Sequence, residues 1–315
     1  MAKPSYAIAG RRSTRKKSSR YWLLYLMMLP GLLYLLINNY IPMFGIIIAF
    51  KKYNYRKGIF GSSWAGLDNF KFLFSTTDAF VITRNTILYN LVFMVVGTVL
   101  GVFVAILLNE ITKKFFSKLY QTVILFPQLI SMVIVSYLAY GMLSTQTGFI
   151  NNSILKPLGI GEISWYNEPK YWPAILLIVN IWKGLGYSAI MYLSSIVGID
   201  KSYYEAAMLD GASKWQQVRK ITLPFLVPTI VMLTILSVGR IFYSDFGLFY
   251  QVPMNSGPLY DVTSTIDTYV FRALLQQGNI GMSSAAGLYQ SVVGFILVVV
   301  TNTIVSKVSP ENAMY

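Results

Sequence analysis

The chain has no cysteine and no histidine, and only 12% of its 315 residues are charged. Without cysteine there is no disulfide framework, no thiolate chemistry and no Cys-ligated metal. Without histidine there is no His-dependent triad, no zincin motif and no imidazole proton relay. Soluble domains carry roughly 25% charged residues. A chain with so much less charge, 55% of it hydrophobic and arranged in long uncharged runs, reads as a multi-span membrane protein.

Acids are scarce too: 12, against 26 Lys and Arg, for a net charge of +14. In a soluble chain this excess would suggest nucleic acid. In a membrane chain it reports basic residues held at the cytoplasmic face, and no nucleic-acid partner is expected. No carboxylate falls within the apolar runs, which argues against a proton-coupled carrier. The dipeptide Gly-Lys is absent, so there is no phosphate loop of the form G-x-x-x-x-G-K-[ST]. Active transport by this chain would need energy from another subunit.

A spanning helix needs about 20 apolar residues. Six runs qualify: Tyr21–Phe50, Asn85–Asn109, Leu119–Leu143, Tyr171–Ile199, Ile221–Tyr243 and Ser283–Ser306. Pro30 and Pro42 predict kinks in the first. The expected fold is all-α and polytopic, with six transmembrane helices in a domain of residues 21–306. A basic tail (1–20) and a C-tail (307–315) lie on one side of the membrane. The tail holds seven basic residues and no acid, and is expected to lie on anionic lipid. With the N-terminus inside, inner segments hold 15 Lys and Arg and outer segments 9, which favours cytoplasmic termini. Lys51, Lys52, Arg56 and Lys57 crowd the start of the first outer loop and run against that bias.

The longest inner connection, GIDKSYYEAAMLDGASKWQQVRKITLP (198–224), is unusually ordered for a loop. Ser202 with Glu205, and Ser213 with Gln216, read as capping boxes. Gly211 stands between them, where a helix end tolerates positive φ. Two short helices are predicted, bent sharply at Asp210-Gly211. The first carries Tyr204, Ala207 and Met208 on one side, and the second Trp215, Val218 and Thr222. Such a partly apolar knob needs a partner or lipid to cover it.

Glu205-Ala206-Ala207, Gly211 and Ile221-Thr222-Leu223-Pro224 fill every position of E-A-A-x3-G-x9-I-x-L-P. This resembles the EAA motif of the membrane subunits of binding-protein-dependent ABC importers. The segments YLMMLPGLLYLLINNYIPMFGIIIAFKKY, WAGLDNFKFLF and NIGMSSAAGLYQS are similar to the carbohydrate-uptake branch, the LplB-type oligosaccharide permeases. The resemblance covers about residues 20–307. It implies the type I importer transmembrane fold, in a multi-pass protein of a bacterial cell membrane. It also implies a second, related permease, two ATPase subunits, an extracellular solute-binding protein and a carbohydrate substrate. ATP and Mg²⁺ would sit on the ATPases, leaving this chain without a cofactor and without catalysis. Glu205, Ala206, Ala207, Met208, Asp210 and Gly211 (loop 200–220) would dock on an ATPase.

Sugar recognition uses aromatic faces together with amides and hydroxyls. The pathway candidates in the spans are Asn180, Trp182, Lys183, Tyr187, Gln128, Tyr137, Arg240 and Tyr243. Lys183 lies near mid-depth, so it must face a wet cavity or a partner such as a carbonyl. Arg240 either snorkels at the outer interface or joins Tyr243 and Asp245 in an outer gate. Gln121, Ser131 and Tyr140 are expected mostly to make interhelical hydrogen bonds. Residues 281–287 form a small-residue patch suited to close helix packing. Two rivals remain: an importer of the same class for a peptide or amino acid, and a membrane enzyme. The latter would have to rely on Asp245, Asp261 and Asp267, whose spacing fits no known catalytic pattern.

Overall fold

A computed structural model describes residues 22–75 and 77–308. The expected basic tail, and all of the C-tail beyond its first two residues, lie outside the described residues. Apolar sequence without charge favours helix, which satisfies every backbone group internally where no water can. The first span begins as α1 (Trp22–Leu35) and passes through a π-turn (Leu36–Tyr40) and α2 (Ile41–Met43) into a 3₁₀ segment (Phe44–Phe50). The change of helical pitch follows Pro30 and includes Pro42, where ring clashes prevent a regular ladder. From Leu24 on, α1 is exposed, with Met27 and Tyr34 open, so its apolar surface is left for lipid or a neighbouring chain to cover.

A two-stranded hairpin follows, β1 (Lys51–Lys52) against β2 (Ser63–Trp64), with α3 (Gly58–Gly61) between the strands and α4 (Asp68–Ser75) after them. Next come α5 (Thr77–Asn109), α6 (Lys114–Leu129), α7 (Met132–Leu143) and α8 (Trp172–Val197). α9 (Lys201–Leu209), α10 (Lys214–Gln217) and a π-turn (Val218–Thr222) lead into α11 (Leu223–Val238). α12 (Tyr260–Thr263), α13 (Ile266–Leu275) and α14 (Ile280–Val308) complete the described chain.

Among the described residues, five helical segments are long and apolar enough to cross a membrane on their own, and a bent pair makes a sixth if counted as one span. That pair covers the expected third span, Leu119–Leu143, but starts at Lys114 and is bent: α6 and α7 meet at 92°. Pro127 lies in the last turn of α6, and Ile130 and Ser131 are extended. Ser131 then caps α7 by accepting from the Ile134 N–H. Gln121 also departs from expectation, bonding Ser117 within its own helix. The second span starts at Thr77 rather than Asn85, so its first turns take in Asp78 and Arg84.

α8 is the central helix. Near the α9 end it packs on α5 and α11 through Ala105, Leu108, Tyr192, Leu193, Ile196 and Leu226. Gly101 receives Tyr192 and Ser188, and Ser195 and Thr229 share a hydroxyl bond at 3.0 Å. Gly186 lies against the Ile124 carbonyl of α6 so closely that a Cβ there would collide with it. Without a hydrophobic drive between helices in lipid, such close approach and interhelical bonding hold the bundle. At the opposite end Trp172, Leu176, Phe249 and Leu259 form a second core, and Ile82, Phe242, Ile266 and Ala286 a third. The small-residue patch opens α14, where Ser283, Ala285 and Ala286 are buried and Gly281 abuts Asn69.

Candidate coupling elbow and transport cleft

The Lys201–Thr222 segment is a folded elbow. Asp200, not Ser202, is the N-cap of α9, accepting from the Ser202 N–H at 2.9 Å. That bond holds its carboxyl below the usual carboxylate range. The expected Ser202–Glu205 capping box is therefore replaced by a cap two residues earlier, which leaves Glu205 exposed. α9 ends as a Schellman turn: the Gly211 N–H donates to the Met208 carbonyl (3.1 Å) and the Ala212 N–H to the Ala207 carbonyl (2.9 Å). Gly211 has φ +75°, the left-handed conformation that glycine adopts most easily. The Ser213–Gln216 capping box is present and starts α10.

The Tyr204 hydroxyl lies 2.9 Å from the Thr222 hydroxyl and ties α9 to the π-turn that leads into α11. Lys214 pairs with Glu110 at the end of α5 at 3.1 Å. Both side chains are exposed, so that ion pair adds little to stability. Between the elbow and the ends of α5 and α8 lies a cleft of about 390 Å³, lined among others by Glu110, Tyr204, Glu205, Met208 and Gln217. Met208, Leu209 and Trp215 are exposed, Leu209 to 90%. Polar caps thus fix the backbone of an element whose apolar side chains are left uncovered.

Along the middle of α8, two adjoining clefts of about 420 Å³ each lie between α5, α8, the last turns of α11 and the turn after it, within the range for small-ligand sites. Tyr187 and Arg240 line one, and Asn180, Arg240, Tyr243 and Asp245 the other, with Phe93, Met94 and Ser237 shared. Tyr187 and Asn180 are about 15 and 26 Å along α8 from its Val197 end. The structure thus brings four of the eight pathway candidates together. Trp182, Gln128 and Tyr137 are exposed and line neither cleft. Lys183 donates to the Pro127, Gln128 and Ile130 carbonyls at the α6–α7 break. Its charge meets the carbonyls that a helix leaves open at its C-terminus.

Sequence reasoning missed Asn90. Its amide donates to the carbonyls of Thr86, Ile241 and Tyr243, fixing the cleft wall after α11. The signal was an amide inside an apolar run, which in lipid must find partners. Asn85 similarly holds the Asp261 and Ser264 carbonyls. Asp267, one of the carboxylates an enzyme would have needed, accepts from Ser244 and Gln290. Among the described residues, no group of three acids has metal-holding geometry.

Residues 97–309 match the model of a family described as binding-protein-dependent transport system inner membrane component. The chain belongs to that family. This permease is 35% identical to the protein LplB of Bacillus subtilis (strain 168) over 289 residues, covering 92% of this chain and 90% of the relative. It is also 35% identical to the polygalacturonan/rhamnogalacturonan transport system permease protein YteP of the same strain, covering 92% and 89%. Among solved structures, it superposes with TM-score 0.85 and 32% identity on a chain of a bacterial ABC transporter involved in import of the acidic polysaccharide alginate. That match covers 93% of this chain and 98% of the other. A second match, with TM-score 0.84, is to a chain of a bacterial alginate ABC transporter in complex with an alginate pentasaccharide-bound periplasmic protein. The all-α reading and the ABC-importer permease reading therefore hold along nearly the whole chain.

Proposed function

We propose that this permease imports oligosaccharides, with the elbow as the lever through which a separate ATPase moves it. The observation that carries the reading is the rigid bend at Gly211 between two capped helices, with Glu205, Met208 and Leu209 exposed beside it. The elbow and both termini then face the cytoplasm. One elbow engages one ATPase, so two ATPases call for a second permease chain, and the transport path runs between the two permeases. ATP and Mg²⁺ bind to the ATPases, and this chain contributes no catalysis.

A binding protein delivers sugar at the end opposite the elbow. Closure of the ATPases pushes on Ala206, Ala207 and Asp210, and the Tyr204–Thr222 tie passes that motion to α11. Binding either end more tightly in one state shifts the population between inward-open and outward-open forms. Asn180, Tyr187 and Tyr243 supply amide, hydroxyl and ring surface for sugar. Arg240 supplies a cation for a uronate carboxylate, a substrate chemistry suited to relatives named for pectic polymers and alginate. The test is reconstitution with its partner permease, ATPases and binding protein, with uptake of neutral and uronate oligosaccharides compared. ATP-dependent uptake is expected, and failure of every oligosaccharide alongside uptake of peptides would reverse the substrate reading.

A further inference from the structure

The basic cluster that runs against the charge bias lies on the β1–β2 hairpin, at the end of the bundle opposite the elbow. Segment 51–71 carries five basic residues and one acid. The acid, Asp68, is paired with Lys71 at 2.6 Å. Lys51 is buried and built into the fold, donating to the Ile59 and Phe60 carbonyls (2.9 Å each) and lying over the Trp64 ring.

Lys52, Arg56 and Lys57 are different. All three are exposed, and among the described residues their side chains make no hydrogen bond or ion pair. The backbone presents them rigidly. The Asn54 side chain accepts from the Arg56 N–H, the Ser62 hydroxyl accepts from the Asn54 N–H and donates to the Gly58 carbonyl, and Gly58 takes φ +66° to close the tip. Interleaved with these cations are exposed rings: Tyr55 (74%), Phe60 (84%) and Trp64 (68%). The hairpin continues directly from the first span, which ends at Phe50.

Aromatic rings at the end of a span sit at the level of lipid headgroups, and exposed basic residues there attract anionic ones. We propose that the 51–64 hairpin is a docking surface for anionic lipid headgroups. Lys52, Arg56 and Lys57 contact the phosphate-bearing headgroup, while Tyr55, Phe60 and Trp64 seat in the interface beneath it. The position directly at the end of a span, with three exposed rings among the cations, selects lipid headgroups as the occupant over an acidic protein surface.

The 315-residue chain lacks cysteine, so Ser63→Cys gives a single labelling site at an exposed hairpin position. The variant carries a bimane fluorophore and is reconstituted into phosphatidylcholine vesicles with a small fraction of spin-labelled phosphatidylglycerol or spin-labelled phosphatidylcholine. Phosphatidylglycerol is expected to quench at least about threefold more strongly at equal mole fraction, and the excess to vanish at high salt. It should also vanish when Lys52→Gln, Arg56→Gln and Lys57→Gln are combined, substitutions that remove none of the hairpin's own bonds. Equal quenching by the two lipids in the otherwise unaltered chain would overturn the proposal, as would a preference that survives in the triple variant. So would a label blind to headgroup charge but shielded from aqueous iodide by added binding protein.

Discussion

The Tyr204 hydroxyl sits 2.9 Å from the Thr222 hydroxyl, joining the first helix of the elbow to the turn that enters α11. Thr222 is buried, so removing either hydroxyl strips a partner that water cannot readily replace, at a cost of about 1 kcal/mol. Tyr204→Phe and Thr222→Val should each speed amide exchange in Lys214–Thr222 about fivefold. The double variant should add little to either one. Additive effects measured by hydrogen exchange would mean that the pair is not coupled.

At Gly211 a Cβ would meet nothing within 4 Å, so only the backbone conformation resists substitution. Aspartate and asparagine both adopt it at modest cost. Gly211→Asn should insert and transport nearly as the parent does. Gly211→Asp should insert equally well, yet lose ATPase co-purification and uptake, because it places a charge on the docking face. Wild-type uptake by the aspartate variant would remove the elbow from the coupling path.

Lys183→Met would take the ammonium away from the Pro127, Gln128 and Ile130 carbonyls, of which Pro127 keeps the Ile130 N–H. Losing charge-assisted bonds of this kind costs about 2–3 kcal/mol, so the detergent-solubilised protein should melt markedly lower. Lys183→Arg should restore most of the loss. Unchanged melting with an altered ligand-stimulated ATPase activity would return Lys183 to the transport path.

Arg240 is exposed in the cleft. Arg240→Ala should therefore change stability by no more than about 0.5 kcal/mol. It should raise the half-saturating concentration for an anionic oligosaccharide about tenfold, the equivalent of about 1.4 kcal/mol, and for a neutral one much less. Equal shifts for both ligands in substrate-stimulated ATPase assays would deny the guanidinium a charge-reading role.

The Asp200 cap gives a pH signature. Its carboxyl is held below the ordinary value of 3.8 by the Ser202 N–H. The cap's contribution is therefore complete above that value and is lost as pH falls through the lowered one. Exchange at the start of α9, corrected for intrinsic rates, should stay flat from neutral pH down to about 5 and rise only in stronger acid. Asp200→Ala should show the faster rate at every pH.

Much of the architecture was readable from apolar run length, because lipid leaves helix as the form that satisfies the backbone within a single segment. The α6–α7 bend was not, since Val123–Leu138 is apolar on both sides of it and periodicity carries no record of direction. Pro127 and the distant Lys183 together mark it, but only contact reveals that one stabilises the other. The elbow was legible at Gly211 and Ser213, where one residue type suits the geometry. It was misread at Ser202 because Asp200 offers an equally good cap two residues earlier. Asn90 was passed over because two of its three carbonyl partners, Ile241 and Tyr243, are brought to it by tertiary packing.

The seat of Gly186 on the Ile124 carbonyl restricts how the machine can move. With backbone against backbone and no side chain between, α6 and α8 pack too closely for either to part from the other without losing that contact, which favours their swinging together. Give is then best placed beyond the Lys183 clamp on Ile130, at the extended Ser131 where the helical ladder lapses. Alternation between facing inward and facing outward would then be a pivot about that joint, with α7 trailing or staying behind.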